Sequence, residues 1–310
     1  MTSPINDQFR LAARPSGLPK ESDWHVTSPQ LADLQEGEIR IKTLYLSLDP
    51  AMRGWMNEGK SYIRPVAIDE VMRAGGVGIV VASRADKFGV GAIVAGGIGV
   101  QRYWQGPADD RTAAFTRIDL ALAPLDTWLN TLGMPGMTAY FGLLDVGQPK
   151  AGETVVVSGA AGAVGQTVGQ VAKKLGCRVV GIAGGKDKCA FVVDQLGFDA
   201  CIDYKGGSVR DGLKTHCPDG VDIYFDNVGG AILDTVLTRI NRRARIVICG
   251  AISQYNNTTA VTGPANYLAL LVNRARMEGM VVFDYAPRYP EGVAQLAAWL
   301  KDGSIQSRYA

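Results

Sequence analysis

The segment Ser158-Gly159-Ala160-Ala161-Gly162-Ala163-Val164-Gly165 concentrates glycine and alanine between two patterned stretches. Before it runs the β-branched Thr154-Val155-Val156-Val157-Ser158, and behind it Val164 to Leu175 carries helical spacing. Such a turn lets a phosphate reach the backbone, and the following helix offers unpaired N–H groups and the positive end of its dipole. Gly162 permits the close approach, and Gly165 lets the helix seat on the strand. The usual G-x-G-x-x-G spacing is altered, because Ala160 takes the first glycine's place and Gly159 stands one residue earlier. A second strand ends about 20 residues further on, which predicts a dinucleotide pyrophosphate. A methyl donor's nucleoside is the alternative that the turn leaves open.

The end of that second strand decides which dinucleotide. NAD sites commonly place a carboxylate there for the ribose hydroxyls. Here the residues are Ala183-Gly184-Gly185 and then Lys186-Asp187-Lys188. Lysine attracts a 2′-phosphate as a point charge, and a carboxylate would repel it. The pattern favours NADP over NAD. Asp187 reads as the cap of the helix that begins beside it. The bland reading of the lysines, as solvated residues of a helix start, competes with this one.

These groups need a scaffold, and the pattern along the chain supplies two. At 310 residues, two domains are expected. Up to about Leu125 the sequence is rich in glycine and short apolar runs. Glu38 to Leu44 alternates as a half-buried strand, and Gly75 to Val81 and Gly89 to Val100 fit turning strands of a small barrel. From about Asp126 strands alternate with helices. Thr154–Ser158, Arg178–Ala183, Ala200–Asp203, Val221–Asp226, Arg245–Cys249 and Gly279–Phe283 are predicted as six strands, with a helix over Asp187–Leu196. The expected fold is α/β: a doubly wound parallel six-stranded Rossmann sheet plus a mainly β barrel domain.

Several classes of function are disfavoured. Apolar residues are 47% and charged residues 20%, a soluble globular balance, and the net charge of +2 favours no polyanionic partner. No basic stripe with interleaved aromatics speaks for nucleic acid. The apolar stretches are too short to span a membrane, and Met1 to Arg14 lacks a signal-peptide core. Five cysteines without a C-x-x-C pair suit a reducing, cytoplasmic setting. The two histidines, His25 and His216, belong to no ligand set, so no metal is expected.

The motifs together resemble a known family. They are Tyr45-Leu-Ser-Leu-Asp-Pro-Ala-Met-Arg53, Gly133-Met-Pro-Gly-Met-Thr-Ala-Tyr140, Ala160-Ala-Gly-Ala-Val-Gly165, Phe225-Asp-Asn-Val-Gly-Gly230 and Cys249-Gly-Ala-Ile-Ser-Gln-Tyr-Asn256. In this order they resemble the zinc-free medium-chain dehydrogenase/reductases of the prostaglandin reductase, alkenal double-bond reductase and curcumin reductase type. The resemblance runs from about Leu44 to the last residue. It implies a GroES-like catalytic domain over residues 1–126 and a Rossmann domain over residues 127–302. Residues 303–310 would begin a return to the catalytic domain, cut short at Ala310 before a family Asn-Phe-Gly motif.

Carried over by position, the resemblance sets Met134 and Thr138 against the cofactor. Ala161, Gly162, Ala163 and Val164 would cradle the pyrophosphate, with Gly184, Lys188 and Tyr204 about the adenosine 2′-phosphate. Asn227 and Val228 would approach the nicotinamide, and Cys249, Gly250, Ala251, Ile252 and Ser253 would line the cofactor's other edge. Tyr255 would face the substrate carbonyl, opposite Tyr45. The implied reaction is NADPH-dependent reduction of the C=C bond of an α,β-unsaturated ketone or aldehyde. Hydride would reach the β-carbon while Tyr255 or the nicotinamide ribose hydroxyl stabilises the enolate. Tyr255 or water would protonate the α-carbon. A zinc-free quinone reductase and a non-catalytic NADPH-binding protein are the alternatives.

Family members are often homodimers, so a homodimer is expected, without nucleic-acid or membrane partners. Asp226 reads as structural and Cys249 as buried and inert. Two departures stand out: Ala92 replaces an acidic residue at what reads as a surface turn, and Tyr103 to Phe115 reads as a lid-like loop.

Overall fold

The computed structural model describes residues 4–308. They divide into two compact units, one ending at Leu129 and one beginning at Asn130.

The first unit is mainly β. Strands β1 (Gln8–Leu11) and β2 (Trp24–Thr27) form an antiparallel pair. Strand β3 (Glu38–Leu46), a short helix α1 (Ala51–Trp55) and strands β4 (Gly75–Ser83), β5 (Ile93–Gly97), β6 (Tyr103–Pro107) and β7 (Thr116–Arg117) follow. The last five strands make an antiparallel sheet in the order β6-β3-β4-β5-β7. Register shifts between β3 and β4 at Arg40/Ile41 and Thr43/Tyr45 bend the sheet, as bulges do. Ile39, Ile41, Val80, Val94, Phe88 and Phe115 fill its inner face.

Two expectations fail in this unit. Tyr103 to Phe115 is not a lid: its first half is β6, paired with β3. Ala108, Ala113 and Phe115 are buried, and the Phe115 ring meets Trp104 edge-on at 4.6 Å. The Asp110 carboxylate holds the turn by accepting the N–H groups of Thr112 and Ala113 at 2.7 and 2.8 Å. Ala92 is likewise no surface residue. The exposed turn is Val90–Gly91, while Ala92 tucks into the core and its carbonyl accepts the Val80 N–H.

The second unit opens with α2 (Met134–Phe141), which runs into a wider π-helical turn. Then come β8 (Thr154–Ser158), α3 (Ala163–Lys174), β9 (Arg178–Ala183), α4 (Lys186–Ala190), β10 (Ala200–Asp203), α5 (Val209–His216) and β11 (Val221–Asp226). Helix α6 (Gly230–Leu237), β12 (Ile240–Ile248), α7 (Leu268–Asn273), β13 (Arg276–Gly279) and α8 (Tyr289–Lys301) complete it. All six strands are parallel, in the order β10-β9-β8-β11-β12-β13. Counted from β8 this is 3-2-1-4-5-6, the doubly wound dinucleotide order, whose strand sequence reverses between β8 and β11. β8 is buried at every residue, as its unbroken β-branched run requires.

Two strand boundaries and one helix need correction. The sixth strand is Arg276–Gly279, not Gly279–Phe283, because Val282 starts a 3₁₀ segment leading to α8. The fifth starts at Ile240, with a bulge that lifts Arg243 to φ 65°. The helix expected over Asp187–Leu196 divides, α4 giving way to a π turn at Phe191.

Gln306 to Arg308 passes beside α3. Gln170 exchanges two hydrogen bonds with the Gln306 backbone (2.7 and 3.0 Å), and Gln166 and Asn130 donate to the Arg308 carbonyl (3.1 and 3.0 Å). Tyr309 and Ala310, the end of the predicted return segment, lie outside the described residues. No helix among the described residues is long and apolar enough to cross a membrane.

Candidate active site

Every strand of a doubly wound sheet ends on the same side, and ligands bind where the strand order reverses. In the second unit that point lies at the ends of β8 and β11. After β8 the chain turns tightly, with Gly159 at φ 61° and its carbonyl accepting the Gly162 N–H at 2.9 Å. A Cβ on Gly165 would stand 2.3 Å from that carbonyl oxygen, so only glycine lets α3 sit this low on the turn. Gly162 is exposed at the helix N-cap, and no side chain caps this end. The first turn carries no acidic residue. Ala163, Val164 and Gly165 therefore point free N–H groups, reinforced by the helix dipole, at the place where a pyrophosphate fits.

Across the switch point, β11 ends in the fully buried Asp226. Its Oδ1 accepts four hydrogen bonds: from Ser158 Oγ (2.9 Å), the Tyr224 hydroxyl (2.8 Å), and the N–H groups of Val228 (3.0 Å) and Gly229 (2.9 Å). Burial and the Asp226 charge hold the Tyr224 phenol well above its usual pKa. Asn227 donates its side-chain N–H to the Ser158 carbonyl at 2.7 Å and its backbone N–H to Ser158 Oγ at 3.0 Å, so three hydrogen bonds join the ends of β8 and β11. Asp226 is thus a structural joint whose Oδ1 is fully engaged and whose Oδ2 is enclosed.

The loop after β12 leans on the same joint. The N–H groups of Cys249 and Gly250 donate to the Asp226 carbonyl, and Ile252 N–H donates to Asn227 O. Ser253 donates to Val228 O through its N–H (3.2 Å) and its hydroxyl (2.6 Å). Burial, and secondarily Asp226, pushes the Cys249 thiol up to about 12, so it stays protonated and unreactive.

The Tyr255 hydroxyl folds back over its own loop and accepts the Ala251 N–H at 3.2 Å. A Cβ on Gly250 would stand 2.8 Å from this hydroxyl. A phenol can both accept and donate, and the bond accepted from Ala251 fixes the orientation of this hydroxyl. Asn227, Val228, Cys249 to Ser253 and Tyr255 are therefore one interlocked loop pair.

At the ends of β9 and β10, the Tyr204 ring lies on the backbone of Gly184, where a Cβ would meet the hydroxyl at 2.7 Å. Lys186 and Lys188 are exposed on the first turns of α4. Asp187 does not cap this helix: Gly185 is the N-cap, at φ 105°, and Asp187 sits inside the first turn. A carboxylate that sequence reasoning passed over reaches this corner from the neighbouring strand. Asp203, at the end of β10, accepts the N–H groups of Gly185 (2.7 Å) and Lys205 (2.9 Å). These backbone bonds hold its carboxyl below the usual range. The available signal was the parallel pairing of β9 with β10, which sets Asp203 beside Ala183.

Met134 stands at the start of α2, and the buried Thr138 turns its hydroxyl onto the Met134 carbonyl at 2.8 Å. Tyr45 belongs to the first unit, near the end of β3, and is half exposed rather than core. His25 Nε2 lies 3.6 Å from Asp69 Oδ1. Among the described residues no three His, Cys, Asp or Glu side chains gather as a metal site.

Fold and site together define a dinucleotide-dependent oxidoreductase with a separate β unit, and the comparisons agree. Residues 7–113 match a family described as the N-terminal domain of oxidoreductase, and residues 163–299 match one described as zinc-binding dehydrogenase. The NADPH-dependent curcumin reductase of Escherichia coli is 42% identical over 310 residues, 98% of this chain and 88% of that one. The NADP(+)-dependent 2-alkenal reductase of Nicotiana tabacum is also 42% identical, over 97% of this chain and 88% of its own. CurA of Vibrio vulnificus, solved in complex with NADPH, superposes with a TM-score of 0.91 at 44% identity, over 97% of this chain and 90% of that one. The chain belongs to the medium-chain dehydrogenase/reductases, in the branch of the curcumin, alkenal and prostaglandin reductases.

Proposed function

We propose that the protein is an NADPH-dependent, metal-independent oxidoreductase that reduces the C=C bond of α,β-unsaturated ketones and aldehydes. The observation that carries this reading is the Tyr255 hydroxyl, fixed by the Ala251 N–H on the loop that closes the switch point. The relatives, which act on curcumin and 2-alkenals, support the substrate class.

The residues fit the cofactor. Ala161 to Val164 and the uncapped end of α3 would take the pyrophosphate, and Gly184, Lys188 and Tyr204 the adenosine 2′-phosphate. Asn227, Val228 and Cys249 to Ser253 would border the nicotinamide, with Met134 and Thr138 on a further side. Bound there, NADPH supplies the hydride that the β-carbon accepts. As negative charge grows on the substrate's carbonyl oxygen, Tyr255 donates a hydrogen bond to it, the part a zinc ion plays in other members of the superfamily. Tyr45 would hold the substrate's other face. Tyr255 or solvent water would protonate the α-carbon.

Loss of absorbance at 340 nm, with a medium-chain 2-alkenal or enone and NADPH or NADH, tests this reading. Rapid loss with NADPH alone is expected, and simple quinones run beside the enones separate a quinone reductase. NADPH binding without turnover on any acceptor would establish the non-catalytic alternative.

A cytoplasmic homodimer completes the reading. Five free cysteines suit a reducing compartment. The sheet ends on β13, and α7 exposes Leu268, Leu271 and Val272. An open edge strand and an exposed apolar helix each suit pairing with a second copy, and sedimentation would read a dimer mass.

A further inference from the structure

The corner that would receive the 2′-phosphate is built from two turns with little stiffness of their own. The first, Gly184-Gly185-Lys186, follows β9 and carries two adjacent glycines, one of them at φ 105°. The second, Tyr204-Lys205-Gly206-Gly207, follows β10 and again contains two glycines. Glycine pairs lose more conformational freedom on ordering than any other residues, so such turns need outside anchors. Two anchors are present. The Tyr204 ring lies on Gly184, and Tyr204 N–H extends the β9–β10 ladder by donating to Ala183 O at 3.1 Å. Asp203 Oδ1 accepts one N–H from each turn, Gly185 at 2.7 Å and Lys205 at 2.9 Å.

This carboxylate could have done the opposite job. A free carboxylate at such a strand end accepts hydrogen bonds from the ribose diol and repels a 2′-phosphate. Asp203 instead engages its Oδ1 with backbone N–H groups of both turns. The three lysines at the corner, Lys186, Lys188 and Lys205, outnumber its two carboxylates, Asp187 and Asp203. Lys186 and Lys188 follow directly from the Gly185 N–H that Asp203 holds.

We infer that Asp203 is the positioning residue that sets the preference for a 2′-phosphorylated cofactor, by clamping the two glycine turns that carry the lysines. The inference rests on the NADPH reading above. It goes beyond it in assigning discrimination to a carboxylate that touches no phosphate and is held in one role by two hydrogen bonds.

The test compares steady-state kinetics with NADPH and NADH for the wild type, D203N, D203A and K188A. D203N keeps the Oδ1 acceptor, so its KM for NADPH is expected within about twofold of wild type. D203A frees both turns. Its KM for NADPH should rise about five- to tenfold, its KM for NADH should stay within about twofold, and kcat should hold at saturating NADPH, the signature of lost binding. In a K188A background the D203A change should shrink to less than about twofold, because coupled residues are not additive. If D203A does not fold, Asp203→Ser replaces it. The serine oxygen is too short to span both turns, so the same NADPH-selective rise is expected.

Equal KM increases for both cofactors, a fall in kcat at unchanged KM, full additivity with K188A, or a D203N variant as impaired as D203A each overturn the inference. A wild type without cofactor preference would instead overturn the NADPH reading, and this inference with it. A wild-type preference that survives D203A overturns the inference alone.

Discussion

Replacing Gly162 by alanine separates the two demands made on the glycine-rich turn, folding and anion binding. A Cβ there would meet one atom within 4 Å, the Gly159 carbonyl oxygen at 3.2 Å, which calls for a few tenths of an ångström of give. Gly162 has an extended backbone, φ −78° and ψ 167°, which alanine adopts freely. Alanine restricts the unfolded chain, which stabilises by about 0.4–1 kcal/mol. It is also a poorer N-cap than glycine, which costs about as much. The two effects offset, and the melting temperature should move by no more than about 4 °C. Binding should suffer more. The methyl stands on the exposed lip of the turn, and losing one charge-assisted N–H···O bond costs about 1.5–3 kcal/mol. That corresponds to a rise of roughly 10- to 150-fold in the Kd for NADPH. Fluorescence titration with NADPH beside a thermal melt reads both quantities. Gly165→Ala makes the contrast, since its Cβ would press on backbone at 2.3 and 2.8 Å. Overpacking of about 1–3 kcal/mol should then lower the melting temperature as well. A Gly162→Ala protein that binds NADPH like the wild type would refute the anion site at α3.

Four further outcomes follow. Tyr255→Phe should lower kcat about 10²- to 10³-fold, the range for losing one preorganised donor, while the Kd for NADPH holds within about twofold; unchanged turnover would sink the donor role. Lys188→Ala should raise the KM for NADPH about five- to twentyfold and leave that for NADH alone, and a parallel rise for both would return Lys188 to the solvated surface. With its thiol near 12, Cys249 should resist iodoacetamide at pH 8, read by peptide mass spectrometry, and labelling as fast as free cysteine would contradict its burial. Burial also raises the Tyr289 phenol to about 12. The unfolded chain ionises this tyrosine near pH 10 and the folded chain only near 12, so its stabilisation is complete below pH 10 and is lost as pH rises towards 12; Tyr289→Phe should flatten that fall in alkaline melts.

The readability of the sequence followed burial. β8, β9 and β11 lie where their apolar and β-branched runs predicted, because strands buried on both faces have little choice of residue, and the edge strand β10 was legible from the alternation of buried Ala200 and Ile202 with half-buried Cys201 and Asp203. β13 escaped because it is an edge strand with Arg276 and Glu278 exposed, and the apolar run read in its place, Val281 to Phe283, leads into a 3₁₀ turn. Gly106-Pro107 looked like loop punctuation, yet Trp104 and Phe115 close on each other across it. The glycine turn, Lys188 and Tyr255 could be named from local pattern and resemblance. Asp203 could not, since its role exists only once β10 lies beside β9. Asp226 was legible as a structural residue at its strand end, but its partner Ser158, 68 residues away in the chain, was not.

Four donors from Ser158, Tyr224, Val228 and Gly229 converge on one oxygen of Asp226. For anyone altering this protein, these positions form a single locus rather than five independent sites. Once Asp226 is replaced, a second change at Ser158 or Tyr224 has little left to remove, whereas each change made first carries its full effect. Substitution libraries should therefore vary this group as a block, and combinations chosen from single-site scans would misjudge it in both directions.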